Sequence, residues 1–164
     1  MKVVGLDLSL RATGIADWSG TRTIGSRLRG VERLSELEQV IVDACAGADL
    51  VVLENYAFSA RSAHAHELGE LGGVIRLGLW REQIHYVDVA PATLKKFSTG
   101  KGNADKGAML AAAIRRFEYQ GSDHNQADAL MLREMGLAQL GGGTGIAYSD
   151  EAIAKVSWPE EARA

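Results

Sequence analysis

Leu50-Val51-Val52-Leu53 is an unbroken apolar run of strand length, led in by Ala48-Asp49 and closed by Glu54. A strand with no polar alternation has no face to give to water, so it belongs inside a sheet covered by helices on both sides. That requirement selects a layered α/β architecture, and the flanking segments agree with it. Residues 2–9 combine β-branched residues with alternation, residues 11–14 read as a turn before Ile15-Ala16-Asp17-Trp18, and residues 21–28 supply a third strand of an antiparallel meander. Between residues 30 and 47, Val31, Leu34, Leu37, Val40, Ile41 and Ala44 recur at steps of three and four, the spacing of an amphipathic helix.

Beyond the apolar strand, residues 62–80 read as a helix, although Gly69, Gly72, Gly73 and Gly78 each lower its propensity by up to about 1 kcal/mol. Glycines there suggest close approach of a partner. Residues 84–89 form another strand, Pro91 opens a short helical turn, and residues 98–105 make a Gly/Lys/Asn loop. Helices over 104–117 and 123–140 complete a mixed sheet, antiparallel meander plus parallel strands, flanked by helices. The expected organisation is one domain over residues 1–140, then a glycine-rich connection and C-terminal tail over residues 141–164.

A length of 164 residues with 46% hydrophobic composition suffices for one domain with a proper core. The single cysteine, Cys45, rules out an intramolecular disulfide and a Cys-rich zinc site. No run of eighteen apolar residues and no basic leader with an apolar core occurs, so the expectation is a soluble cytoplasmic protein without a membrane partner. A net charge of −3 argues mildly against a polyanion partner, but four of the six lysines, Lys95, Lys96, Lys101 and Lys106, fall within twelve residues. The positive charge is concentrated in one patch on an acidic body.

Three acids stand where packing alone does not ask for them. Asp7 interrupts the apolar first strand, Glu54 ends the apolar central strand, and Asp128 lies among Ala127, Ala129, Leu130 and Met131 on the last helix. Buried carboxylates are normally paired, protonated or metal-bound, and no lysine or arginine lies near each in sequence to pair it. Converging carboxylates repel one another, and divalent cations relieve that repulsion in a position suited to phosphodiester hydrolysis.

The segment Gly5-Leu6-Asp7-Leu8-Ser9-Leu10-Arg11-Ala12-Thr13-Gly14 resembles the G-x-D-x-S-x-x-x-T-G opening of RuvC-like resolvases. Three further segments resemble that family in the same order. They are Val51 to Phe58 around Glu54, the basic stretch from Pro91 through Lys106, and Asp123-His124-Asn125-Gln126-Ala127-Asp128-Ala129-Leu130. The resemblance spans residues 1 to about 135 and implies a ribonuclease-H-like fold, a homodimer, two Mg²⁺ ions per active site with Mn²⁺ as a substitute, and paired nicks across a four-way DNA junction. It carries Asp7, Glu54 and Asp128 over as metal ligands. The family pattern has an acid or histidine three residues before the last aspartate, where this chain has Asn125. Asp123 ranks first as fourth ligand because Mg²⁺ favours hard oxygen donors, with His124 and Asn125 as alternatives on the face of Asp128. Asp123 also fits a helix N-cap, with Gln126 completing a capping box.

Lys106 is expected to meet charge developing at the scissile phosphate, while Lys95, Lys96 and Lys101 position the DNA backbone. Tyr56 and Phe58 follow Glu54 and are candidates for stacking on opened bases, or are ordinary core aromatics. The glycine-studded helix, with His64, His66, Leu68, Leu71, Val74 and Ile75, is the candidate dimer surface. Three other readings stay open: a nuclease of the same fold acting on branched or flap DNA or an RNA–DNA hybrid, a catalytically inactive junction-binding dimer, and an actin-type ATPase. The lysine-rich loop and the lack of a second nucleotide-binding half weigh against the last. The sequence does not indicate a branch-migration partner.

Overall fold

The structure is a computed structural model and describes residues 1–55 and 63–162. Five strands form one sheet: β1 (Val3–Asp7), β2 (Thr13–Asp17), β3 (Gly20–Ile24), β4 (Leu50–Glu54) and β5 (Tyr86–Val89). Their order is β3-β2-β1-β4-β5, antiparallel from β3 to β1 and parallel from β1 to β5. The apolar run at 50–53 is therefore flanked by parallel neighbours, as its lack of alternation requires.

Helices cover both faces. On one side lie α1 (Gly30–Ala44) and α2 (Ala63–Arg81), where Leu37, Ile41, Leu71, Ile75 and Leu79 pack on Val4, Leu6, Val51 and Leu53. On the other lie α3 (Pro91–Thr99), α4 (Lys106–Phe117), α5 (His124–Leu140) and α6 (Ala147–Ile153), where Phe97, Met109, Met131 and Met135 pack on Val3, Leu50, Val52 and Val87. Strand parity divides the side chains between these two cores, since successive residues point to opposite faces.

The structure departs from the sequence expectation at three places. Pro91 starts a full nine-residue helix rather than one turn, and Gly100 ends it in the left-handed conformation at φ 81°. The third strand stops at Ile24, short of residue 28. The residues past the glycine run are packed: α6 lies against α3, Trp158 is buried with its indole N–H donating to the Ile153 carbonyl at 2.9 Å, and Ala152, Ile153 and Ala162 join the second core. Arg116 pins this region. Its guanidinium donates to the Phe97 and Ser98 carbonyls and to Ser149 Oγ, satisfying buried carbonyls at the end of α3 that lack an intrahelical partner. Among the described residues no helix is long and apolar enough to cross a membrane.

Candidate active site

Asp7 and Glu54 end neighbouring parallel strands at the same level, because Leu6 is paired with Leu53. Leu6 and Leu53 both enter the core under α1 and α2, so by parity Asp7 and Glu54 project to the opposite face, toward α5. The sequence also removes the side chains that would hold α5 away. A Cβ on Gly5 would stand 2.0 Å from the Ala129 carbonyl oxygen, and one on Gly14 2.1 Å from that of Asn125. Gly14 is the cross-strand partner of Asp7, and Gly5 lies two residues before it on the same face. Backbone therefore meets backbone beside the acid, and Asp128 on α5 is carried down to the ends of β1 and β4.

The result is a half-buried group of three carboxylates, Asp7, Glu54 and Asp128, each offering an oxygen within 4.8 Å of the others. Burial, then the charges of Glu54 and Asp128, push Asp7 up to about 8, and Asp7 and Glu54 are hydrogen-bonded carboxyl to carboxyl. Burial followed by the Asp128 charge raises Glu54 to about 7, and burial raises Asp128 to about 6 against the pull of His124, Lys106 and Lys95. These shifts have the cause expected of like charges forced together in a poorly solvated place. Lys106 at the start of α4 and Lys95 on α3 act on the acids through space, and among the described residues neither forms an ion pair with them. Oxygen donors that repel one another and lack a bonded cation fit a divalent metal ion, and a soft metal would find no thiolate among them.

The other expected site residues fall in different places. Asp123 is the N-cap of α5: its Oδ1 accepts from the Asn125 and Gln126 amides at 2.8 and 3.1 Å, and its Oδ2 accepts from the Thr23 hydroxyl at 3.1 Å. With both oxygens engaged Asp123 lies outside the three-acid group, as does His124. Gln126 does not complete a capping box, because its amide bonds Thr21, Thr23 and Tyr119 instead. Asn125 donates from Nδ2 to the Ala12 carbonyl at 2.6 Å, tying α5 to the β1–β2 turn. His124, four residues before Asp128, contributes the largest charge effect that favours ionised Asp128. Lys96 is paired with Glu151 of α6, and Lys101 is exposed on the loop before α4. Tyr56 and Phe58 lie outside the described residues, as does the side chain of His64; His66 is exposed on α2.

Two features escaped the sequence reading. One is the service of Gly5 and Gly14 to the site, which their parity with Asp7 could have revealed. The other is a corner of arginines at 11, 27, 29 and 33, visible as the Arg-x-Arg-x-x-x-Arg spacing of residues 27–33.

No family model matches the chain. It is 34% identical over 135 residues to the crossover junction endodeoxyribonuclease RuvC of Parvibaculum lavamentivorans, covering 79% of this chain and 74% of that one. It is 29% identical over 154 residues to the protein of the same description from Sorangium cellulosum, covering 93% and 83%. Among solved structures it resembles Thermus thermophilus RuvC, with a TM-score of 0.67 at 16% identity over 81% of this chain and 91% of that one. The T. thermophilus protein in complex with Holliday junction substrate also gives a TM-score of 0.67, at 13% identity over 81% and 90%. These structural likenesses show the ribonuclease-H-like fold.

Proposed function

The chain belongs to the RuvC family of crossover junction endodeoxyribonucleases, and from that premise we propose that it is a Holliday-junction resolvase, cutting four-way DNA junctions by paired, metal-dependent nicks. The observation that carries this reading is the group of Asp7, Glu54 and Asp128 brought together by close packing of α5 on β1, faced by Lys95 and Lys106. Three repelling carboxylates are useless as packing and well suited to a phosphodiester hydrolase.

In this reading Asp7, Glu54 and Asp128 hold two Mg²⁺ ions, for which Mn²⁺ can substitute, with His124 rather than Asp123 as the fourth ligand. The bound ions supply Lewis-acid charge and lower the pKa of water beside the phosphate. Lys106 stands where it can meet negative charge gathering on the scissile phosphate, and Lys95 and Lys101 hold the flanking backbone. Lys96 contributes only once DNA competes with Glu151 for it. Two symmetric nicks call for two sites, and a homodimer supplies them. Support for the dimer comes from α2, not on the side of Leu71 and Ile75, which are buried in the core, but where Gly69, Gly73, Leu77 and Trp80 follow one another at steps of four, four and three along one exposed stripe.

The test is incubation of the chain with a labelled four-way junction and a matched linear duplex, with and without Mg²⁺ or Mn²⁺, using Asp7→Asn as control. Symmetric nicks in the junction alone, lost in Asp7→Asn, are expected. Cutting of flaps and RNA–DNA hybrids at equal rates would replace this reading with a broader nuclease, and binding without cutting would replace it with an inactive junction-binding dimer. Nicking by His124→Ala, compared with Asp123→Asn, identifies the fourth ligand: only the first should fall strongly.

A further inference from the structure

On the face of the sheet away from α5, but at the same end as Asp7 and Glu54, a groove of about 490 Å³ opens between the β1–β2 turn and the first turns of α1 and α2. Its lining includes Ser9, Arg11, Arg29, Arg33 and a single acid, Glu67. Three arginines elsewhere face an acid, Arg22 facing Asp17, Arg76 facing Asp88 and Arg133 facing Glu134, and Arg116 is spent on the Phe97 and Ser98 carbonyls. Among the described residues, Arg11, Arg29 and Arg33, and Arg27 beside them in sequence, form no ion pair. In a chain of net charge −3, unmatched cations gathered at one corner imply an anionic partner.

The walls of the groove are fixed. The Thr13 hydroxyl donates to the Ser9 carbonyl at 2.7 Å, and Ser9 Oγ accepts from the amides of Arg11 and Ala12, so the turn bearing Arg11 is closed on itself. A Cβ on Gly25 would stand 2.4 Å from the Arg11 carbonyl oxygen, so β3's end seals the turn from behind. Arg33 Nε donates to the Leu28 carbonyl at 2.7 Å, holding its guanidinium across the loop into α1. No side chain caps α1 at Arg29, so its first amides add to the positive character. Glu36 on the same helix is occupied by the Ser26 hydroxyl, leaving Glu32 and Glu67 as the nearby acids.

Planar guanidinium forks suit phosphate oxygens, and the groove begins two residues past Asp7. We infer that it binds the phosphodiester backbone of a second arm of the branched DNA, while the lysines of α3 and α4 on the other side of the sheet hold the arm that is cut. This rests on the resolvase reading and adds to it a grip that only a branched or sharply bent substrate can fill together with the lysine side.

The test uses the full chain in an Asp7→Asn background with Mg²⁺, comparing Arg11→Gln/Arg29→Gln, both positions exposed, with the separate reversal Arg29→Glu. Junction affinity should fall about tenfold or more near 0.1 M salt, the slope of log affinity against log salt should shrink by about 0.9 per arginine, and linear-duplex affinity should change less than about twofold. Equal loss on both substrates would overturn the second-arm assignment, and no loss on either would show that the groove does not touch DNA. If the parent does not prefer the junction over the duplex, the resolvase reading itself fails and the groove assignment falls with it. Equal thermal midpoints for the parent and either variant establish that the reading is of binding and not of folding.

Discussion

Asp7 sits among groups that press it toward its neutral form: burial first, then the carboxylates of Glu54 and Asp128. All three acids have folded-state values, about 8, about 7 and about 6, above those of free carboxyls, so the folded chain holds protons that the unfolded chain has released. The sign follows by linkage. Stability from these groups is complete below pH ~4 and is lost as pH rises through roughly 6 to 8. The metal-free protein should therefore melt at progressively lower temperature between pH 5 and pH 8.5, and Mg²⁺ should restore the loss at the upper end. Asp7→Asn should flatten that decline and stabilise the metal-free protein at pH 8 by about 0.5–2 kcal/mol, while lowering the nicking rate by at least about 10²-fold. Scanning calorimetry across pH, with and without Mg²⁺, checks both. A metal-free midpoint that stays level or rises toward pH 8.5 would mean that the acids do not repel one another as described.

At the scale of elements, the packing of α5 on β1 decides whether those acids meet. Gly5 and Gly14 admit its backbone, and Gly136 lets it approach Val3 and Val52, where an added Cβ would stand 2.8 Å from each. Gly5→Ala puts a methyl against the Ala129 carbonyl, an overpacking worth about 1–3 kcal/mol that the helix can relieve only by moving outward. Because that motion also withdraws Asp128, nicking should fall more than stability does. Activity measured well below the melting midpoint separates the two effects, and full activity in a destabilised Gly5→Ala protein would show that the close packing serves the fold alone. Periodicity and the apolar run at 50–53 made the layers legible in the sequence, and the place of Asp7 and Glu54 at strand ends and of Asp128 among apolar residues of the last helix marked the three acids. Helix capping was harder, because Asp123 carries the same carboxylate whether it caps or ligates, and only the geometry shows both its oxygens engaged. The C-terminal residues misled for a different reason. Four glycines among the five residues 141–145 suggest loss of order, whereas the order comes from Trp158 and Ile153 finding a core built by α3 and α4, a long-range effect that no local pattern carries.

For the whole molecule, the exposed stripe of α2 has to be explained. Trp80 is 70% exposed and Leu77 45%, and added Cβ atoms on Gly69 and Gly73 would meet nothing, so about three turns of helix present little but backbone and two large apolar side chains. In the proposed homodimer two copies would bury this apolar surface by packing the same stripe about a twofold axis, the glycines letting the helices approach and Trp80 covering the partner's flank. A 17.6 kDa chain should then sediment as a species of twice that mass at micromolar concentration, and Trp80→Glu or Leu77→Glu should shift it to the monomer by placing like charges across the axis. The three acids Asp7, Glu54 and Asp128 all come from one chain, so under the proposed reading the monomer should keep its metal affinity and nick one strand at a time. On a supercoiled plasmid extruding a cruciform, paired cutting by the dimer releases linear DNA, and unpaired cutting by the monomer leaves nicked circles. A wild-type monomer that produced linear DNA directly, or a Trp80→Glu protein that remained dimeric, would move the interface away from α2.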